Sequence, residues 1–505
     1  MADAKRLAKN TFFMYVRMIL IMIVSIYTSR VVLDKLGVDD FGIYNAVASI
    51  VSMVLFLNTT LATSTSRFLT YDIGVGDFEK LKRTFSTSFY THLILAGIIV
   101  FFLETLGLWY MANKFVIPEG RDFAVHIVFQ ISIITTAITI IQVPYTASIV
   151  AHENMDVYAY VGIFDVFARL GIVYLLSVSS VDKLVLYALF IAVVHIMVIV
   201  LYVVISHRRY RETRFVRHFS KGAFHRMIGF TGWTAVANFS NILIAQGSIV
   251  LLNLFFSPAI IAAKALANQV NQAIMQFVNN FRVALNPQII KSYATGDFDD
   301  FKILSLRSTV VSSDLILILG LPCIVTMRSI LGIWLIDVPP LAVEFTQLTV
   351  ITQILGSIIS STYIPFVATG RLKLNALWGG VTSVLFFFLL YYSFNNGAGA
   401  LWDQWLLLIS SLLSVLFLRP YLLHKEIGFP YVEIYRCLFD CIKPIIISGV
   451  LAYLLTKLFN DTLWQQIILF LAVFTSTCTI VWFFLEKAIR NYFVNILKSK
   501  LLNKK

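Results

Sequence analysis

The chain has 505 residues, is 59% hydrophobic and only 13% charged, and has a mean hydropathy of +0.83, whereas a soluble domain is about 45–50% apolar and about 25% charged. Fourteen bilayer-crossing helices of about 20 residues would leave roughly 200 residues for all loops and termini, which excludes a large extramembrane catalytic module such as a nucleotide-sugar glycosyltransferase. The net charge of +13 is read as topology rather than as affinity for nucleic acid, because Lys and Arg accumulate in the cytoplasmic loops of membrane proteins.

Apolar runs bounded by charge or turn residues predict spans near 10–33, 41–66, 86–109, 122–150, 158–178, 184–206, 227–253, 260–284, 308–333, 344–369, 376–393, 404–423, 443–459 and 464–485. The first run follows Lys5, Arg6 and Lys9 and is longer than the apolar core of a signal peptide, about 7–15 residues, so a retained helix is expected. Lys and Arg crowd alternate connections, beginning with the N-terminus and ending with the C-terminal tail. That asymmetry places both termini in the cytoplasm. The most basic loop, His207 to Arg226, joins spans 6 and 7 as a topogenic linker, with binding of anionic lipid headgroups a secondary role.

The loop after span 2 reads Gly76-Asp77-Phe78-Glu79-Lys80-Leu81-Lys82, and the loop after span 8 reads Gly296-Asp297-Phe298-Asp299-Asp300-Phe301-Lys302. Val143-Pro144-Tyr145-Thr146-Ala147 in span 4 recurs as Ile364-Pro365-Phe366-Val367-Ala368 in span 10 at the same offset to within one residue. Two anchors at one offset, each six spans apart, argue for duplicated six-helix lobes in the same orientation, the arrangement of an alternating-access transporter. The expected organisation is an N-lobe over 1–206, a basic cytoplasmic linker over 207–226, a C-lobe over 227–423, and spans 13 and 14 with a basic tail over 424–505. The expected fold class is an all-α polytopic membrane protein.

Ionisable residues within spans cost at least about 2.5–3.5 kcal/mol at the helix centre, so those retained usually face a cavity or a partner. In span 8, Lys264, Asn268, Asn271, Gln272, Gln276, Asn279 and Arg282 fall within one half of the helix circumference, and Leu266, Val270, Ile274, Phe277, Val278 and Phe281 fill the other. Such a face lines water or an interface rather than lipid. Span 7 adds Asn238, Asn241 and Gln246, span 2 adds Asn58 and Thr59, and in span 1 Arg17 shares a face with Asn10 and Thr28 while Arg30 points elsewhere. Arg17, Lys264 and Arg282, with no acid in those spans to balance them, would attract an anion. Guanidinium and ammonium groups suit phosphate oxygens, and the neighbouring amides suit sugar hydroxyls.

Three acids are candidates for ion coupling: Glu104 near the outer end of span 3, Asp165 in span 5 and Asp314 in span 9, with His126 and His195 as lesser candidates. Asp165 is four residues from Arg169, a spacing that pairs them on their own helix; Asp314 has no such local partner and is preferred. Pro144, Pro322 and Pro365 interrupt spans 4, 9 and 10 and are equally readable as gating bends or as ordinary membrane-helix prolines. Cys323, Cys437, Cys441 and Cys478 make no disulfide framework, and no further ligand accompanies Cys437 and Cys441, so no metal, cofactor or catalytic residue is expected. A Walker-type Gly-x-x-x-x-Gly-Lys sequence is absent, which leaves self-contained ATP hydrolysis unsupported.

The opening Lys9-Asn10-Thr11 through Tyr27-Thr28-Ser29-Arg30, then Leu36-Gly37-Val38-Asp39-Asp40-Phe41-Gly42-Ile43-Tyr44-Asn45-Ala46, resembles the polysaccharide biosynthesis proteins of the oligosaccharide flippase (Wzx-type) group. The resemblance covers nearly the whole chain. It implies the multidrug/oligosaccharidyl-lipid/polysaccharide (MOP) exporter fold and the flipping of undecaprenyl-diphosphate-linked oligosaccharide across a bacterial inner membrane for O-antigen or capsule biosynthesis, alongside a glycan polymerase and glycosyltransferases. In that family a cationic lumen receives the diphosphate, a description matched here by Arg17, Lys264 and Arg282. The alternatives are a MATE-type multidrug or cation antiporter, for which acids would be expected in the cavity, and a lipid II flippase, whose several arginines on the first two spans are here reduced to Arg17 and Arg30. An O-antigen polymerase or ligase would need a larger outer loop than this chain has.

Overall fold

The structure is a computed structural model that describes residues 20–152, 154–176, 182–214, 219–460, 462–485 and 490. Among these residues it is helical throughout, with no strand. The chain runs as α1 (residues 20–36), α2 (Val38–Val54), α3 (Phe56–Val75), α4 (Phe78–Asn113), α5 (Asp122–Ala151), α6 (Met155–Leu176), α7 (Lys183–Arg209), α8 (Lys221–Phe255) and α9 (Pro258–Ala294). It continues as α10 (Phe298–Val325), α11 (Met327–Trp334), α12 (Ala342–Ser361), α13 (Ile364–Thr369), α14 (Lys373–Asn395), α15 (Trp402–Ile427), α16 (Tyr431–Thr456) and α17 (Leu463–Phe484).

Among the described residues, 11 helical stretches are long and apolar enough to cross a membrane. Three expected spans fall outside that set, each for a visible reason. The first begins outside the described residues. The second is divided at Leu55 into α2 and α3. The eighth, α9, is 37 residues long, but its amides and cations dilute its apolarity.

The two Gly-Asp-Phe loops share one local geometry. Gly76 and Gly296 take the left-handed conformation, at φ 79° and 81°, which ends the preceding helix at a residue without a Cβ. Asp77 and Asp297 then accept the backbone N–H of Lys80 and Asp300 at 3.0 and 2.9 Å, capping the next helix. The bolt across each turn differs. In the first, Asp72 accepts from Thr84 at 2.6 Å and pairs with Lys80 at 3.0 Å; in the second, Ser292 donates to Asp300 at 2.6 Å. The prolines also part company: α5 runs unbroken past Pro144, whereas the chain breaks after Ser361 and restarts in α13 with Pro365 at its first turn, where a missing N–H costs nothing. Pro322 lies three residues before the end of α10.

Packing divides the chain into two compact units, one comprising 1–265, 335–340 and 376–402, the other 266–334, 341–375 and 403–505. These differ from the repeat-based lobes, because α8, the start of α9 and most of α14 pack with the first unit; the lobes over 1–206 and 227–423 stay a proposal from the sequence repeat. In the first unit, Leu69, Phe85, Ile149, Val157 and Tyr202 form a buried core. At the opposite end of these helices Arg121 pairs with both Asp40 and Asp182, tying the starts of α2, α5 and α7 together. There, too, Tyr110 donates to the Val250 carbonyl at 3.0 Å. In the second unit Ile274, Val278, Ile316, Val350, Ala452 and Val473 join α9, α10, α12, α16 and α17, and Phe301, Phe366 and Phe429 build a separate aromatic core.

A close backbone approach in the first unit explains a glycine in the Asp-Phe-Gly-Ile-Tyr motif. A Cβ on Gly42 would lie 1.9 Å from the Pro258 carbonyl oxygen, a backbone atom that cannot step aside. Gly42→Ala is therefore expected to destabilise by about 1–3 kcal/mol, the usual cost of overpacking, and to lower the unfolding temperature of the purified protein. Gly74→Ala is the control, since a Cβ there meets nothing within 4 Å; equal melting of the two variants would contradict the account.

Candidate functional site

The stripe predicted on span 8 lies on α9. Lys264 is buried in the first unit; from Leu266 onward the helix belongs to the second. Asn268, Asn271 and Gln276 are half-buried, while Gln272 and Asn279 are exposed. On the other side Leu266, Ile274 and Val278 are buried, so the apolar half does pack inward, though Phe277 is exposed. Asn271 Oδ1 has no hydrogen-bond partner among the described residues. Arg282 is turned into a seam of the second unit, where Nε donates to Ser312 Oγ at 3.4 Å and Nη2 to the Ser357 carbonyl at 2.8 Å. Its buried charge rests on neutral oxygens.

Arg17 lies outside the described residues. Asn58 is buried with its Oδ1 unpartnered among the described residues. Asn238 donates to Thr60 Oγ1 at 3.0 Å, joining α8 to α3; farther along the same seam Ser64 donates to the Met227 carbonyl at 3.2 Å. Gln246 is half-buried and Asn241 exposed.

Of the acids, Asp165 accepts from Arg169 Nε at 2.8 Å, and Arg169 Nη2 reaches His195 Nε2 at 2.8 Å. This places Asp165 in a three-residue polar cluster between α6 and α7. Glu104 sits on a π-helical turn, Leu103–Gly107, and accepts from Gln130 at 3.2 Å. Asp314 is buried, 4% exposed, and its Oδ1 has no partner among the described residues; Lys443 instead pairs with Asp440, at 3.2 Å. His126 is exposed.

Two cavities of the first unit involve residues that the sequence reading passed over. The larger, about 730 Å³, is lined by Ser66, Arg67, Thr70, Tyr71, Thr146 and Val150 among others. The smaller, about 340 Å³, shares Arg67 and Tyr71 and adds Asp72, Lys80 and Thr84. Both lie at the end of the unit that carries the Gly76-Asp77 turn, the end the charge asymmetry assigns to the cytoplasm. A signal was available: Thr60, Ser64, Arg67 and Tyr71 follow i, i+4, i+7, i+11 spacing along one helix face. Arg67 escaped because it abuts an apolar run, where a cation reads as a topology marker.

No family model matches the sequence, and no curated protein does. Solved structures do match. The lipid II flippase MurJ in an inward closed conformation aligns over 93% of this chain and 98% of its own, with a TM-score of 0.68 and 11% identity. An inward-facing multidrug resistance MATE family transporter of the MOP superfamily aligns over 80% and 99%, with a TM-score of 0.61 and 11% identity. A MOP superfamily transporter from Pyrococcus furiosus, described as having a binding pocket of reversed polarity, aligns over 78% and 92% at a TM-score of 0.52 and 9% identity. The protein is a polytopic helical membrane protein. Its fold is that of the MOP superfamily.

The cavity wall supplied by the end of α5 is anchored by a buried carboxylate. Glu212 accepts from Ser148 at 3.3 Å and pairs with His152, whose ring stacks on Tyr210 at 4.3 Å. Burial pushes the Glu212 carboxyl up, but hydrogen bonds from His152, the backbone and Ser148 outweigh it and hold the group below the ordinary carboxylate range. A depressed folded value means that the stabilisation is complete above the unfolded value, about 4.3, and is lost as pH falls through the folded one. Glu212→Gln is expected to cost about 1–3 kcal/mol at pH 7 and to flatten the stability–pH profile on the acid side of the ordinary glutamate value of about 4.3; parallel profiles for the two proteins would rule the latch out.

Proposed function

We propose that the protein is a flippase that moves undecaprenyl-diphosphate-linked oligosaccharide from the inner to the outer leaflet of a bacterial inner membrane, for surface polysaccharide biosynthesis, by alternating access coupled to a proton or cation gradient. The observation that carries the reading is α9, a 37-residue helix with exposed Gln272 and Asn279, half-buried Asn268, Asn271 and Gln276, and Lys264 and Arg282 as its buried cations. Amides suit sugar hydroxyls, and cations suit a diphosphate. Export of cationic drugs, the MATE-type alternative, calls for carboxylates on such a face, and this stretch carries none. The lipid II flippase among the similar structures acts, by its name, on a lipid-linked substrate, which supports the same class of cargo. Membrane lipids, a glycan polymerase and glycosyltransferases are the proposed partners. Arg17, Asn58, Asn238, Asn241 and Gln246 are proposed to extend the polar wall, with Asp314 as coupling site ahead of Asp165 and Glu104.

In proteoliposomes carrying an undecaprenyl-diphosphate-linked oligosaccharide, Lys264→Ala and Arg282→Gln are each expected to slow the appearance of glycan to an impermeant lectin about tenfold or more, the loss of one charge-assisted contact to phosphate. Normal flipping by both variants would defeat the assignment, and efflux of a cationic dye in its place would establish the antiporter. Asp314→Asn is expected to abolish the acceleration by an imposed pH or cation gradient while passive exchange continues; undiminished acceleration would remove Asp314 from coupling.

A further inference from the structure

The two cavities around Arg67 are lined by no residue of the polar helix α9. Arg67 and Tyr71 belong to both. Together with Lys80 and Asp72 the ionisable lining sums to one positive charge. Hydroxyls of Ser66, Thr70 and Thr146 line the larger cavity beside apolar Val143 and Val150. Tyr71 is 63% exposed, with Lys80 Nζ 5.1 Å from its ring centroid. A guanidinium beside hydroxyl donors fits phosphate oxygens, and an exposed aromatic face beside hydroxyls fits a sugar ring. The volumes, about 730 and 340 Å³, lie within the range of about 300–1,000 Å³ typical of small-ligand pockets.

The second Gly-Asp-Phe loop serves as an internal control. It reproduces the turn of the first, yet the positions equivalent to Arg67, Tyr71, Asp72 and Lys80 are Pro287, Lys291, Ser292 and Asp300. A serine and an acid bolt that turn as closely as Asp72 and Thr84 bolt the first, both at 2.6 Å. The turn therefore does not require the arginine, the tyrosine or the lysine. Those three side chains are grouped in the first copy alone, around open space.

We propose that this cavity is a loading site at the cytoplasmic end of the first unit, taking the diphosphate and first sugar of a lipid-linked saccharide before they are translocated. Arg67 holds the phosphate and Tyr71 stacks on the sugar, while the lipid tail stays in the bilayer. The proposal rests on the flippase reading and names where that cargo is first held. It would also make the Asp72–Lys80 pair a positioning element, since Lys80 lies over the Tyr71 ring.

The test uses the full-length protein in phosphatidylcholine nanodiscs and measures binding of farnesyl diphosphate and of undecaprenyl-diphosphate-linked N-acetylglucosamine. Arg67→Ala is expected to weaken both probes at least tenfold, with Arg67→Lys recovering part of the loss. Tyr71→Ala is expected to weaken the sugar-bearing probe several-fold more than farnesyl diphosphate, and Tyr71→Phe to restore it; these conservative variants separate binding from folding. Wild-type affinity in both alanine variants would overturn the site. Equal competition by inorganic pyrophosphate would reduce it to a free-anion site, and equal competition by phosphatidylglycerol to a general lipid-headgroup site; either result overturns the assignment to a saccharide diphosphate. If wild-type protein flips the oligosaccharide but Arg67 does not affect binding, the loading site alone fails. If binding depends on Arg67 and Tyr71 but no oligosaccharide is flipped, the flippase reading alone fails.

Discussion

Within the hydrocarbon of a bilayer a polar side chain must find a protein partner or water, because lipid offers neither donor nor acceptor. That constraint organises the placement of the polar residues in this chain. Asn238 reaches Thr60, Arg169 bridges Asp165 to His195, Gln130 reaches Glu104, and Arg282 is held by Ser312 and the Ser357 carbonyl. Each joins two helices, consecutive ones for Arg169 and Gln130 and ones more distant in sequence for Asn238. Gln272 and Asn279 on α9 are exposed instead, so by the same constraint such a face lines water or an interface rather than lipid.

The same constraint divides the cations by role. Arg121, set between Asp40 and Asp182, is neutralised and acts as a clamp across three helix ends. Among the described residues Arg282 meets neutral acceptors, Ser312 Oγ and the Ser357 carbonyl, so those partners leave its charge unbalanced. Asp314 is the acidic counterpart, buried with one oxygen unpartnered among the described residues. Burying such a group without a partner is costly, and a coupling ion or proton that binds and leaves would account for its retention.

Much of the fold was legible because span-forming runs depend on local composition. The apolar windows predicted the helices, and the repeated Gly-Asp-Phe sequence predicted two loops that the structure shows to share φ values and capping bonds. What escaped were features that depend on distant partners. The seam of Arg282 draws on residues 30 and 75 positions away, so nothing within α9 announces those partners. The break at Leu55 and the association of α8 with the first unit are likewise tertiary outcomes. Arg67 is hidden for another reason: at the end of an apolar run a cation reads equally as a topology marker and as a site residue, and only its helical spacing from Thr60, Ser64 and Tyr71 sets it apart.

The duplicated loop carries that lesson one step further. When one backbone motif occurs twice in a chain, the residues that the two copies share are those the geometry needs: here a glycine at positive φ and a capping aspartate. Residues that differ are free of that demand, so their chemistry reports either neutral drift or function. Asp72 and Thr84 in one copy and Ser292 and Asp300 in the other show the turn to be indifferent to which helix supplies the acid. Drift would scatter such differences over the surface. In the first copy Arg67, Tyr71 and Lys80 converge instead on adjoining cavities, and it is this convergence, more than the identity of any one of them, on which the proposed loading site rests.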